Sequence, residues 1–159
     1  MVLASGSALA NTETVLLKSN GSDLTAGFST SHTTAGAFTD TFTFTPTDLQ
    51  GWTDTTFWNL SYKAANTITF TSASINGVAI AIGSLPLPSG AVSYSTGGIA
   101  PTYLSGELVL TISGTSGSAA SYGGILNLSP VPEPASYAMM MGGLAMLGFM
   151  ARRRKQEKE

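Results

Sequence analysis

Side chains able to act as acid, base or nucleophile are sparse in this chain, and their distribution limits what it can catalyse. His32 is the sole histidine and there is no cysteine, so a serine-type triad must use His32, and thiolate chemistry is excluded. Ser31-His32-Thr33 lies in a polar stretch that reads as a solvated loop, with no nucleophile-elbow pattern around it. A zinc site would have to draw its remaining ligands from carboxylates or water, an unusual set. Glycoside hydrolysis needs only two carboxylates, and Asp40, Asp48, Asp54 and Glu107 are available for it. So few acids in so small a domain argue against an active-site cleft. We expect no catalytic residue, no metal and no cofactor.

One carboxylate stands in a more specific setting. Val131-Pro132-Glu133-Pro134 is followed by ASYAMMMGGLAMLGFMA at residues 135–151, 17 positions without a charge, and then by Arg152, Arg153, Arg154 and Lys155. A helix of that length meets the lower limit of the roughly 17–25 residues needed to cross a bilayer. It is apolar on every face except for Ser136 and Tyr137 at its start, unlike the one-sided helix that covers a soluble core. We therefore expect a transmembrane helix at 135–151, with the basic cluster held on the cytoplasmic side as a stop-transfer signal. Pro132 and Pro134 keep the backbone extended and stop helix from growing upstream. Glu133 would then be displayed just outside the membrane, within reach of a membrane-embedded protease or transpeptidase.

This order of Pro-Glu-Pro, short hydrophobic helix and Arg-rich end resembles the PEP-CTERM sorting signal of Gram-negative bacteria that make extracellular polysaccharide. The resemblance covers about the last 25 residues. It implies that an exosortase recognises and removes the signal, much as sortases treat their own C-terminal signals, and that exopolysaccharide is a partner of the processed protein. Phe38-Thr39-Asp40-Thr41-Phe42 is similar to the FxDxF motif that names one subgroup of PEP-CTERM proteins, with Phe38, Asp40 and Phe42 as the fixed positions. The resemblance to that subgroup brings no established activity.

The elements that must carry these residues read as strands. In AFTDTFTFT, at residues 37–45, Phe38, Asp40, Phe42 and Phe44 share one face while Thr39, Thr41, Thr43 and Thr45 share the other. The aromatic face should turn inward. Asp40 interrupts it, and a buried carboxylate is costly unless donors or a cation meet it. The plain reading is a carboxylate capping loop amides at the sheet edge; the sharper one is a calcium ligand, which no clustered Asp spacing supports. Asn76-Gly77 favours a tight hairpin turn with Ile75 facing Val78. That register would pair Ala73 with Ile80 and Thr71 with Ile82. Ile68 and Phe70 have the opposite parity to Ala73 and Ile75, so a bulge or break is expected at 71–74. Further strands are expected at 13–18, 55–62, 107–113 and 125–128, the third with Leu108, Leu110 and Ile112 on one face. SGTSGSAASYGG at 113–124 has the composition of a flexible loop or hinge.

Short strands between Gly and Pro turns define the expected fold class: all-β, an antiparallel β-sandwich or jelly-roll-like domain, followed by the one C-terminal helix. Trp52, Phe57, Trp58 and Tyr62 are candidates for its core, with an exposed platform for sugar rings as the alternative. The expected division is residues 1–10 as the remnant of a signal peptide, 11–130 as the exported β-domain and 131–159 as the sorting signal. Ala8-Leu9-Ala10 is a small-x-small pattern that a signal peptidase accepts, and cleavage there exposes Asn11. A flexible N-terminus is the plain alternative.

Charge removes one class of partner. Five of the seven Lys and Arg residues fall in the last eight positions. Between 11 and 131, six acids face only Lys18 and Lys63, a net of −4, so no nucleic acid is expected, because phosphate binding needs clustered cations. The expected function is that of an exported, non-enzymatic surface or matrix protein. It would pass transiently through the inner membrane and then join the cell surface or the extracellular matrix of a biofilm. A carbohydrate-binding module, testable by Trp52→Ala on a polysaccharide column, is the alternative, and a small hydrolase ranks last.

Overall fold

The computed structural model describes residues 9–86, 93–131 and 134–156. Among them, nine strands precede one α-helix, with a single 3-10 turn at Ala64–Asn66: β1 (Thr12–Leu16), β2 (Lys18–Asn20), β3 (Asp23–His32), β4 (Gly36–Ser61), β5 (Ile68–Ile75), β6 (Val78–Ala79), β7 (Ala81–Pro86), β8 (Ser93–Ser116), β9 (Ala120–Pro130) and α1 (Pro134–Gln156). All nine belong to one hydrogen-bonded sheet in the order β2-β3-β9-β4-β8-β5-β6, with β1 added beside β4 and β7 beside β8. Every pairing is antiparallel except β1 with β4.

β4 explains how one sheet makes two layers. Its first part pairs with β1 and with the end of β8; its second pairs with β9 and with the beginning of β8. The ladder with β8 shifts register between Phe44 and Leu49, and the burial parity flips there. Phe38, Asp40, Phe42 and Phe44 point inward before the shift, as the alternation predicts, whereas Gly51, Thr53, Thr55, Phe57, Asn59 and Ser61 do so after it. An irregularity that adds an odd number of residues turns every later side chain to the opposite face. Rings from the two arms then meet: Phe28 of β3 lies 4.8 Å from Phe42 of β4, and Phe57 of β4 lies 4.8 Å edge-on from Phe70 of β5.

The flip corrects the expected core. Phe57 is fully buried, but Trp52, Trp58 and Tyr62 are on the outer face, 53%, 40% and 69% exposed. The inward positions beside Phe57 are polar and are stitched instead. The Asn59 amide donates to the Asn66 and Ser121 carbonyls at 3.2 and 2.7 Å and accepts from the Ile68 amide at 3.1 Å, as a buried amide must.

Residues 113–124 are not a hinge. They form the end of β8, a tight turn and the start of β9. The glycines there make room for rings. A Cβ on Gly114 would lie 2.9 Å from Phe38 Cζ and one on Gly124 2.5 Å from Phe28 Cζ; in β8, one on Gly97 would overlap Phe57 Cζ.

The Asn76-Gly77 turn forms as expected, with positive φ at both residues and Ile75 opposite Val78. Ile80 donates to the Ala73 carbonyl at 2.9 Å. The expected irregularity sits between Phe70 and Ser72, in the β5–β8 ladder. Thr71 does not pair with Ile82, because β7 leaves β5 for β8 and Ile82 faces Gly97.

α1 does not lie on the β-domain. Met139, Met141, Met146 and Phe149 are each at least 65% exposed, and nothing approaches within 4 Å of a Cβ built on Gly142, Gly143 or Gly148. Among the described residues, however, no helix is long and apolar enough to cross a membrane. That corrects the transmembrane expectation for 135–151. Seventeen helical residues rise roughly 26 Å, short of a hydrocarbon core about 30 Å thick, and the arginines follow without a further turn of apolar chain.

Candidate functional site

Three features can carry function: a polar cluster inside the domain, an aromatic groove on its outer face, and the tail.

The cluster is built around Asp40. Period-two alternation in β4 sets its side chain inward between Phe38 and Phe42, all three at most 2% exposed. β3 brings His32 against it through the alternation of Ala26, Phe28, Thr30 and His32, and β9 brings Tyr122 through that of Ala120, Tyr122 and Leu126. His32 Nε2 lies 3.0 Å from Asp40 Oδ2, and the Tyr122 hydroxyl donates to the same oxygen at 2.7 Å. The Asn11 backbone amide donates to Oδ1 at 3.0 Å. A carboxylate oxygen accepts, and the His32 ring donates to it in the tautomer protonated at Nε2.

Asp40 is thus met in the core by one backbone amide, that of Asn11 just before β1, as the capping reading expects, and by two side chains that it does not. Its three donors oppose the calcium reading, since a cation would need the same lone pairs. Among the described residues, no group of three or more His, Asp or Glu side chains could hold a metal ion. Burial first, then the hydrogen bond and charge of Asp40, push the Tyr122 phenol above the ordinary tyrosine range.

His32 is a correction. It is not a solvated loop residue but 4% exposed, stacked 4.4 Å from the Phe38 ring. The alternation through β3 was the signal that reveals it; the serines and threonines around it masked that pattern. Tyr122 was hidden by the glycines and serines that resemble a loop.

On the outer face, Trp58 pairs across β4 with Gly123 of β9. The missing side chain leaves a groove of about 510 Å³, lined by Trp58, Leu60, Ser29, Ser31, Ser121 and Gly123. Its volume falls within the roughly 300–1,000 Å³ of small-ligand sites. Trp52 sits farther along the same face, edge-on to Tyr103 at 6.0 Å.

The tail leaves the domain at a fixed point. Val131 is exposed, and its amide donates to the Gln50 carbonyl at 3.2 Å. Pro132 and Glu133 lie outside the described residues, as do 1–8 of the expected signal remnant. Pro134 opens α1, which ends at Gln156 and so includes Arg152, Arg153, Arg154 and Lys155; Arg152 and Arg153 are exposed. The sorting residues and the Phe38, Asp40 and Phe42 motif therefore belong to separate parts of the molecule.

Residues 130–155 match the family model of the PEP-CTERM protein-sorting motif. The chain carries this sorting motif, and the match supports exosortase-dependent sorting of an exported protein in a Gram-negative host, with an exosortase as processing partner. No curated protein and no solved structure matches the chain.

Proposed function

We propose that this is a non-enzymatic protein of the cell surface or extracellular matrix, processed at its C-terminal motif by an exosortase and associated with exopolysaccharide in biofilm. The observation that carries it is the ordered set of Val131, Pro132, Glu133 and Pro134, an apolar helix free of the domain, and the basic cluster 152–155. The exposed apolar surface of the helix associates the precursor with the membrane at which it is processed, and the basic cluster beside it favours the lipid headgroups. Processing then frees the β-domain. Phe38, Asp40 and Phe42 support placing it in the FxDxF subgroup. A non-enzymatic role is supported by His32, whose Nε2 is engaged by Asp40 inside the core.

The test is mass spectrometry of the extracellular protein in its native host. Wild type should lack residues C-terminal to the processing point, and Glu133→Ala should retain them in the cell envelope. Identical masses for the two would remove the sorting role.

A second reading, a carbohydrate-binding module, is favoured by one observation. Trp58 borders a groove whose lining includes Ser29, Thr30, Ser31 and Ser121, and a sugar ring offers an apolar face for the indole and hydroxyls for these side chains.

A further inference from the structure

The Asn11 nitrogen is the one Asp40 donor whose charge can be changed by cutting the chain. In the uncut chain it is a neutral amide, 3.0 Å from Asp40 Oδ1. It follows Ala8-Leu9-Ala10, a peptidase-compatible sequence. Asn11 is also tied down from its other side, where its carbonyl accepts from the Thr41 amide at 2.8 Å and its side-chain amide bonds Thr30 Oγ1. These ties do not depend on residues 1–10. Removal of those residues takes away the Leu9 bridge to β4, in which the Leu9 amide donates to the Ala37 carbonyl and its carbonyl accepts from Thr39.

We propose that cleavage between Ala10 and Asn11 creates an α-ammonium that forms an ion pair with Asp40, so that the new N-terminus becomes the charged partner of the buried carboxylate. The step is a hydrolysis by a signal-type peptidase. Water adds across the peptide bond, Ala10 leaves as a carboxylate, and the Asn11 nitrogen takes a proton from water and a second from solvent. The groups facing the new charge are Asp40 of β4, His32 of β3 and Tyr122 of β9. The remaining cations of the domain, Lys18 and Lys63, are exposed. An opposite charge at hydrogen-bond distance favours the charged form of a carboxylate and shortens the hydrogen bond between them. Leader removal would thus exchange the Leu9 bridge for a charged contact at Asp40 as the domain reaches the exterior. This inference rests on the export reading above.

Two measurements test it. N-terminal sequencing of the exported protein should begin at Asn11; any other start overturns the proposal while leaving the sorting role, judged by loss of the tail, untouched. The chain from Asn11 to Glu159, in mild detergent, should show by NMR an α-amine titrating at least about one unit above the roughly 7.7–8.0 of an ordinary N-terminus. Asp40→Asn should return it to the ordinary value. Should that variant not fold, a chain retaining Ala10 serves instead. Its displaced amine should titrate normally and its melting temperature should fall below that of the Asn11 form. An ordinary amine in the folded Asn11 form, or equal melting of the two forms, overturns the ion pair.

Discussion

Tyr122 and Asp40 are 82 positions apart in the chain, yet the phenol donates to the carboxylate at 2.7 Å in the interior. The contact ties β9 to the first part of β4, two stretches that share no ladder register, and so fastens one layer of the domain to the other. Tyr122→Phe keeps the ring and deletes that bond. A hydrogen bond to a charged group contributes about 1.5–3 kcal/mol, so urea unfolding of the variant should show a loss of that order with an unchanged m-value. No loss would mean that Asp40 is satisfied without Tyr122.

The same phenol predicts an alkaline limit. Its folded-state pKa is raised above the ordinary value, so its contribution is fully present below pH of about 10 and is lost as pH rises beyond it, when the unfolded chain releases the proton first. Wild-type stability should fall with pH above about 10, and Tyr122→Phe should fall less steeply. Parallel slopes for the two chains would refute this assignment.

Gly97 lies under the Phe57 ring, where an added methyl would overlap Cζ. Overpacking of this kind costs about 1–3 kcal/mol. Gly97→Ala should unfold at lower denaturant, and coupling it with Phe57→Leu should restore part of the loss. Gly83→Ala is the control, because its nearest neighbour is a Thr96 methyl at 3.7 Å.

Trp58 separates the two binding readings. It is 40% exposed, and surface substitutions away from special features change stability by about 0.5 kcal/mol or less. Trp58→Ala should leave unfolding nearly unchanged. If the groove binds sugar, retention on a polysaccharide column should drop; retention equal to wild type would remove the carbohydrate module.

The legible part of the fold was the part with clean alternation. Phe38, Asp40, Phe42 and Phe44 identify their strand and its inward face because every second residue is large and apolar or acidic. The parity conflict between Phe70 and Ala73 located an irregularity for the same reason. Beyond Thr45 the alternation persists but its phase reverses, and nothing in the residues themselves announces that Trp52 and Trp58 have changed sides. Gly114, Gly123 and Gly124 misled in another way. Their composition matches a linker, yet two of them sit in strands under phenyl rings, where absence of a side chain is a packing requirement. The Asp40 cluster was half visible: the carboxylate demanded donors, but His32, Tyr122 and Asn11 come from three other segments that only the sheet brings together.

The path by which the tail leaves the domain has a mechanical consequence. Tension applied at Val131 runs straight into β9, which is clamped on one side by Leu24–His32 and on the other by Gly51–Trp58. Such a pull loads both rows of bonds in shear, all at once, instead of peeling them one by one. The end that carries the sorting motif is therefore anchored through a strand paired on both edges.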